Sequence, residues 1–292
     1  MGICNGRTVV ITGAGGGLGR EYALAFAAEG ASVVINDLRR DAAQAVCDEI
    51  ARRGGRALAN SDDITNVATA QRILDAARDA FGEVQVLVNN AGICRDRMFT
   101  SLTEQDWDEV MRVHLRGHFC LSSLLARAWR DAAKAGNRVD ARIVNTTSGA
   151  GLQGSIGQSN YGAAKAGIAA LTLMQSAELR RYGVCVNALA PAARTSMTEG
   201  AFAERMRKPD DGSFDYFDPA NVAPLVVWLG STLSADVTGQ VFEVEGGVIA
   251  LAEGWRTGPR VDRGARWAPR DVGSAVARLL GDARPAQPVY GS

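Results

Sequence analysis

Residues 7–30 read "RTVVITGAGGGLGREYALAFAAEG". A short β-branched run gives way to a glycine cluster and then to an apolar stretch of helical length, so the segment reads strand, turn, helix. Gly13, Gly17 and Gly19 permit a tight turn and a close approach of backbone to ligand. The helix that follows opens with unpaired N–H groups and the positive end of its dipole, which suits a pyrophosphate. The spacing is TGxxxGxG and not GxGxxG, since Leu18 stands inside the cluster. Its setting between strand and helix is the context a phosphate-binding loop requires.

The same alternation continues outward. "SVVIN", "VQVLVNN", "ARIVNTT", "VCVNALAP" and "QVFEVEG" read as further strands, separated mostly by helical lengths. Apolar runs of this kind predict a parallel sheet with helices on both faces, a doubly wound α/β architecture. Its ligands bind beyond the carboxyl ends of the strands, where strand order reverses. The second run ends at Asp37, twenty residues after Gly17. A carboxylate there can accept hydrogen bonds from the adenosine ribose hydroxyls and repels a 2′-phosphate, which favours NAD. Arg39 and Arg40 follow at once and could bind that phosphate, so NADP stays open.

Length and composition bound the alternatives. The 292 residues suffice for one large domain, with 32 acidic and 32 basic residues in balance. That balance argues against a nucleic-acid binder or a polybasic membrane surface. No apolar signal segment is read at "MGICNG" and no run of spanning length occurs, so a cytoplasmic protein without membrane association is expected. Five cysteines without a CxxC pair fit a reducing compartment. His114 and His118 lie four apart, but the glutamate of HExxH and a third ligand are missing, so no metal site is expected. The domain is expected over residues 1–247. Within it, residues 196–218, "SMTEGAFAERMRKPDDGSFDYFD", read as an apolar-faced helix and a polar, aromatic loop, either a lid or an ordinary surface loop. Residues 248–292 read as an Arg-, Pro- and Gly-rich tail with one short helix, too small to be a domain.

"SNYGAAKAG", residues 159–167, places Tyr161 and Lys165 four apart. On a helix they share one face. A neighbouring ammonium stabilises a phenolate and brings the phenol toward neutral pH, where general acids and bases work best. Lysine is otherwise rare: it occurs only at Lys134, Lys165 and Lys208, the rest of the 32 basic residues being arginine. A site that needs a compact point charge would select lysine.

TGxxxGxG, "NNAG" at 89–92, Ser148 thirteen residues before Tyr161, and YxxxK at Tyr161 and Lys165 stand in one order. Together they resemble the short-chain dehydrogenase/reductase family over about residues 7–247. The resemblance implies a single Rossmann fold with a mostly parallel seven-stranded sheet, and a homodimer or homotetramer. It implies that Tyr161 is the catalytic acid/base and that Lys165 lowers its pKa and holds the nicotinamide ribose. Asp63 would contact adenine, Asn89 and Gly92 would line the cofactor beside Gly13, Gly17, Leu18, Gly19 and Asp37, and the segment after Pro191, including Thr195, would cover the nicotinamide. Physical chemistry fits these roles: hydride transfer between a carbinol carbon and nicotinamide leaves charge on oxygen, which Tyr161 can protonate and the Ser148 hydroxyl can stabilise.

Two departures stand out. His114 occupies the place of an asparagine that many members use to hold a water beside the lysine, so either its imidazole shuttles protons or a backbone carbonyl does the work. Ala192 replaces the usual glycine of PG, which shifts the alignment of Thr195. "VVINDL", "GQSNYGAAKAG" and "VAPLVVWL" are similar to the (3R)-hydroxyacyl-CoA dehydrogenase domain of multifunctional β-oxidation enzymes and to stand-alone bacterial relatives. The expected reaction is therefore NAD-dependent interconversion of a secondary alcohol and a ketone, on a 3-hydroxyacyl-CoA or a hydroxysteroid. An NADPH-dependent ketoreductase is the alternative, and a non-catalytic dinucleotide-sensing protein the rival of another class. Five arginines in 256–270 could bind the nucleotide of coenzyme A, or be solvated.

Overall fold

The computed structural model describes residues 2–195, 204, 206–285 and 287–291. The chain runs β1 (Thr8–Thr12), α1 (Gly17–Ala28), β2 (Ser32–Asn36), α2 (Arg40–Arg52), β3 (Arg56–Asn60), α3 (Val67–Phe81), β4 (Val86–Asn89), α4 (Glu104–Met111), a π turn (Arg112–Arg116) and α5 (Gly117–Lys134). It continues through β5 (Ala141–Thr146), α6 (Gly149–Leu152), α7 (Ser159–Leu179), β6 (Val184–Ala192), α8 (Ala223–Gly230), β7 (Val241–Glu245), β8 (Val248–Leu251) and α9 (Val272–Asp282).

The sheet order is β3-β2-β1-β4-β5-β6-β7-β8. The first seven strands pair in parallel, and β8 folds back antiparallel on β7. This corrects the expectation of seven strands. The eighth comes from the start of the expected tail, because Gly246, with φ of +50°, allows the chain to reverse within two residues.

Every residue of β1, β2, β4 and β5 is buried, which explains why these strands read as unbroken apolar runs. Alternate side chains feed two cores. Val9, Ile11, Val33 and Ile35 meet Phe26 of α1 and Val226 of α8, whereas Val10, Val34 and Leu87 meet Ile73 of α3 and Leu121 and Leu125 of α5. Each such side chain contributes roughly 1.5–3 kcal/mol of burial. The reversal of strand order falls between β1 and β4, and it opens a crevice at their carboxyl ends.

Candidate active site

A cavity of about 300 Å³ occupies that crevice. Two larger surface depressions, along α4 and between α5 and α7, are lined mostly by charged and small side chains away from the glycine turn. At one end of the cavity the chain turns at Gly13 (φ +64°) and Gly17 (φ +51°), left-handed conformations that cost little only for glycine. A Cβ on Gly13 would lie 2.8 Å from the Ala91 Cα, and one on Gly19 would lie 2.3 Å from the Gly13 carbonyl oxygen. Gly19 is thus fixed by packing of helix on strand. Gly13, Gly17 and Leu18 line the cavity itself.

Asp37 follows β2 beside this turn. Its Oδ2 accepts from the Gly15 N–H at 3.0 Å, and its Oδ1 accepts from the Arg39 N–H at 3.0 Å and from Arg39 Nε at 3.2 Å. The carboxylate is thereby held at the cavity wall, and Arg39 lines the cavity with it.

The other end is made of side chains. Ser148 follows β5 and caps α6, its Oγ accepting from the Ala150 N–H at 3.2 Å. Tyr161 lies in the first turn of α7 and lines the cavity together with Ser148. One turn on, Lys165 is buried and its Nζ donates to the Thr146 carbonyl at 2.6 Å. The ammonium stands 5.5 Å from the centre of the Tyr161 ring. Burial pushes Lys165 down to about 7. Burial also pushes the Tyr161 phenol up, Cys94 adding to the rise, while the nearby Ser148 hydroxyl works in the opposite sense. Desolvation is the largest influence on both groups.

The glycine turn at one end and the hydroxyls of Ser148 and Tyr161 at the other thus line a single cavity. The sequence profile described as short chain dehydrogenase matches residues 7–206. The chain belongs to the short-chain dehydrogenase family. It is an oxidoreductase of the kind that acts on CH–OH groups and binds a nicotinamide dinucleotide. It is 43% identical to hydroxyacyl-CoA dehydrogenase ChsB1 of Mycobacterium tuberculosis, over 97% of this chain and 91% of that one. It is 42% identical to peroxisomal multifunctional enzyme type 2 of Mus musculus, over 87% of this chain but only 33% of that protein. The crystal structure of a short chain dehydrogenase from Mycobacterium avium superposes with a TM-score of 0.91 at 53% identity, over 100% of both chains.

Against this family pattern, His114 sits at the centre of the π turn, a local widening frequent at functional sites. Its ring meets that of Tyr161 edge-on at 5.3 Å. Nε2 lies 2.8 Å from the Ile93 carbonyl oxygen and 3.1 Å from the Ile93 N–H, and a neutral ring serves one of them at a time. Burial, seconded by the Lys165 charge, pushes His114 down to about 3. It is neutral at physiological pH and acts as a wall. A Cβ on Gly92 would come within 2.4 Å of its Cε1, so the imidazole explains the glycine.

Asn89 also needs correction. Its amide is buried and donates to Ser122 Oγ at 3.0 Å and to Asn145 Oδ1 at 2.9 Å, tying α5 to the sheet. Strand alternation sends its neighbour Asn90 the other way, and Asn90 lines the cavity while donating to the Thr12 carbonyl at 3.0 Å. Asp63 is not brought to the cavity wall. It accepts from the Thr65 N–H at 2.8 Å and the Thr65 hydroxyl at 2.9 Å, and stands 3.5 Å from Arg112.

Pro191, at the end of β6, and Thr195 both line the cavity, the latter within 3.5 Å of where a Gly17 Cβ would be. The helix expected just after Ser196 lies outside the described residues. The described loop that follows is anchored: Arg194 donates to the Met206 carbonyl at 2.8 Å and to both oxygens of Asp215, one at 3.1 Å. That pairing, the Thr146 carbonyl and the placement of Cys94 beside Tyr161 carried no signal in the sequence, since each depends on distant segments meeting.

Proposed function

We propose that this enzyme interconverts a secondary alcohol and a ketone with NAD, the alcohol being a 3-hydroxyacyl-CoA or a hydroxysteroid. The reading rests on one observation: Ser148 and Tyr161 stand at one end of a cavity whose other end is walled by Asp37. A bound nicotinamide dinucleotide supplies the hydride acceptor. The glycine turn and Asp37 are the residues that would hold its adenosine side, and Lys165 would hold the ribose near the reacting ring. Ser148 donates a hydrogen bond to the substrate oxygen, and Tyr161 takes the carbinol proton on oxidation or returns it on reduction. When protonated, Lys165 favours the Tyr161 phenolate, and the Thr146 carbonyl holds its Nζ in place.

The name carried by ChsB1 supports the acyl-CoA class. Asp37 supports NAD, because its carboxylate repels a 2′-phosphate. The tail arginines are left out of the reading: Arg256, Arg260, Arg263 and Arg270 already pair with Glu253, Asp262 and Asp271. The exposed apolar side chains of β8 support a homodimer or homotetramer.

The test is dinucleotide reduction by the purified chain on panels of (3R)-hydroxyacyl-CoA esters and hydroxysteroids, with NAD and NADP compared. Turnover of one panel with NAD is expected. Preference for NADP, or silence on both panels, contradicts the proposal.

A further inference from the structure

After α9 the chain returns to the catalytic face, and residues 287–291 dock beside α6. Tyr290 forms a parallel bridge with Ser155. Its N–H donates to the Gly154 carbonyl at 3.1 Å, and its carbonyl accepts from the Ile156 N–H at 3.0 Å. Its phenol oxygen accepts from Gln153 Nε2 at 2.6 Å. The ring lies against Gly149, the residue after Ser148: a Cβ there would stand 2.8 Å from both Cε2 and the phenol oxygen. Val289 covers Gly154 in the same way, within 3.4 Å of such a Cβ. The helix that delivers this segment buries none of its own residues. The docking is therefore a fit made by the segment's end, with Gly149 leaving room for the Tyr290 ring.

The surroundings are apolar. The Arg97 N–H donates to the Gly157 carbonyl at 2.8 Å, and Gln158 Nε2 donates to Asp96 Oδ2 at 2.9 Å, so the loop carrying Cys94 is tied to the loop on which Tyr290 rests. Met98, Phe99 and Ile156 on these two loops, with Val289 and Tyr290, all expose much of their apolar surface. A rim of this composition gains by covering an apolar body.

We infer that residues 287–291 form the outer wall of the substrate cleft, and that Val289 and Tyr290 select substrates by the apolar body carried beyond the reacting carbon. This rests on the reading of the site as an alcohol dehydrogenase. Gln153 orients the Tyr290 ring, and the ring supplies the contact.

The experiment compares the full chain with a chain truncated after Pro285 and with Tyr290→Ala. Binding of acetoacetyl-CoA and of 3-oxododecanoyl-CoA is measured by calorimetry with NAD present, a pairing in which no hydride can be transferred to the ketone. The two ketones differ only in their apolar length. The preference for the longer one falls roughly fivefold or more in both variants, while NAD affinity stays within about twofold. Tyr290→Phe, which keeps the ring and loses the Gln153 bond, retains most of the preference. A smaller fall in either variant overturns the inference. Reduction of the ketones is scored separately. A full chain that binds both, prefers the longer through its wall and reduces neither refutes the proposed reaction and not the wall. A chain that reduces both, with preference untouched by truncation, refutes the wall and not the reaction.

Discussion

The two ends of the cavity are built by different means. The glycine end comes from one continuous stretch, residues 13–18, with Asp37 and Arg39 beside it, and much of its surface is backbone. The end that holds Ser148, Tyr161 and Lys165 is assembled from side chains on the π turn, the end of β5, the residues just after it and α7, with the loop after β4 beside them. The first is specified by local geometry and the second by tertiary packing, so the two should fail differently when altered.

The largest separation is expected from Ser148→Ala. Loss of the hydroxyl proposed to meet the substrate oxygen should lower kcat roughly 100- to 1000-fold, with NAD affinity unchanged in a calorimetric titration. A matching fall in NAD affinity would show that the ends are not independent. The converse change, Gly19→Ala, puts a methyl where only 2.3 Å separates it from the Gly13 carbonyl oxygen. NAD affinity should drop on the order of tenfold or more, with melting temperature falling as well, since the clash is with backbone. Next in size, Asp37→Ala should move the ratio of kcat/KM for NADP over NAD roughly tenfold toward NADP. An unmoved ratio would remove Asp37 from cofactor choice.

The smallest effect is thermodynamic. Lys165 is held at about 7 against an ordinary 10.5. Between those values the folded chain binds fewer protons than the unfolded one, so this group makes stability rise with pH across the window, and its penalty is complete below about 7. Lys165→Met removes the penalty. The variant's melting temperature should exceed that of the parent most clearly below pH 7, by on the order of 5 °C, and the gap should close toward pH 10. A constant gap would mean that the ammonium is better solvated than its burial indicates.

The sequence was most legible where structure is local. The glycine turn, Asp37 and the spacing of Ser148, Tyr161 and Lys165 all follow from short-range pattern, and every one of them except Gly19 lines the cavity. β3 escaped notice because "RALAN" has no β-branched run and is only half-buried at the sheet edge. β8 escaped because its four residues are exposed and follow directly on a glycine pair. The exchange of roles between Asn89 and Asn90 depends on strand register, and the upward push on the Tyr161 phenol depends on burial that no spacing reveals. The docking of Tyr290 on Gly149 joins positions 141 residues apart and left no local trace.

The most direct test of the central claim is a paired measurement on Tyr161→Phe, taking NAD affinity by calorimetry and NADH formation from a (3R)-hydroxyacyl-CoA on one preparation. The account predicts NAD affinity within about threefold of the parent and turnover lowered by roughly 1000-fold or more, because the phenol moves the proton and does not hold the dinucleotide. Turnover that survives the substitution, or an affinity lost along with it, would contradict a cavity with separate binding and proton-transfer ends.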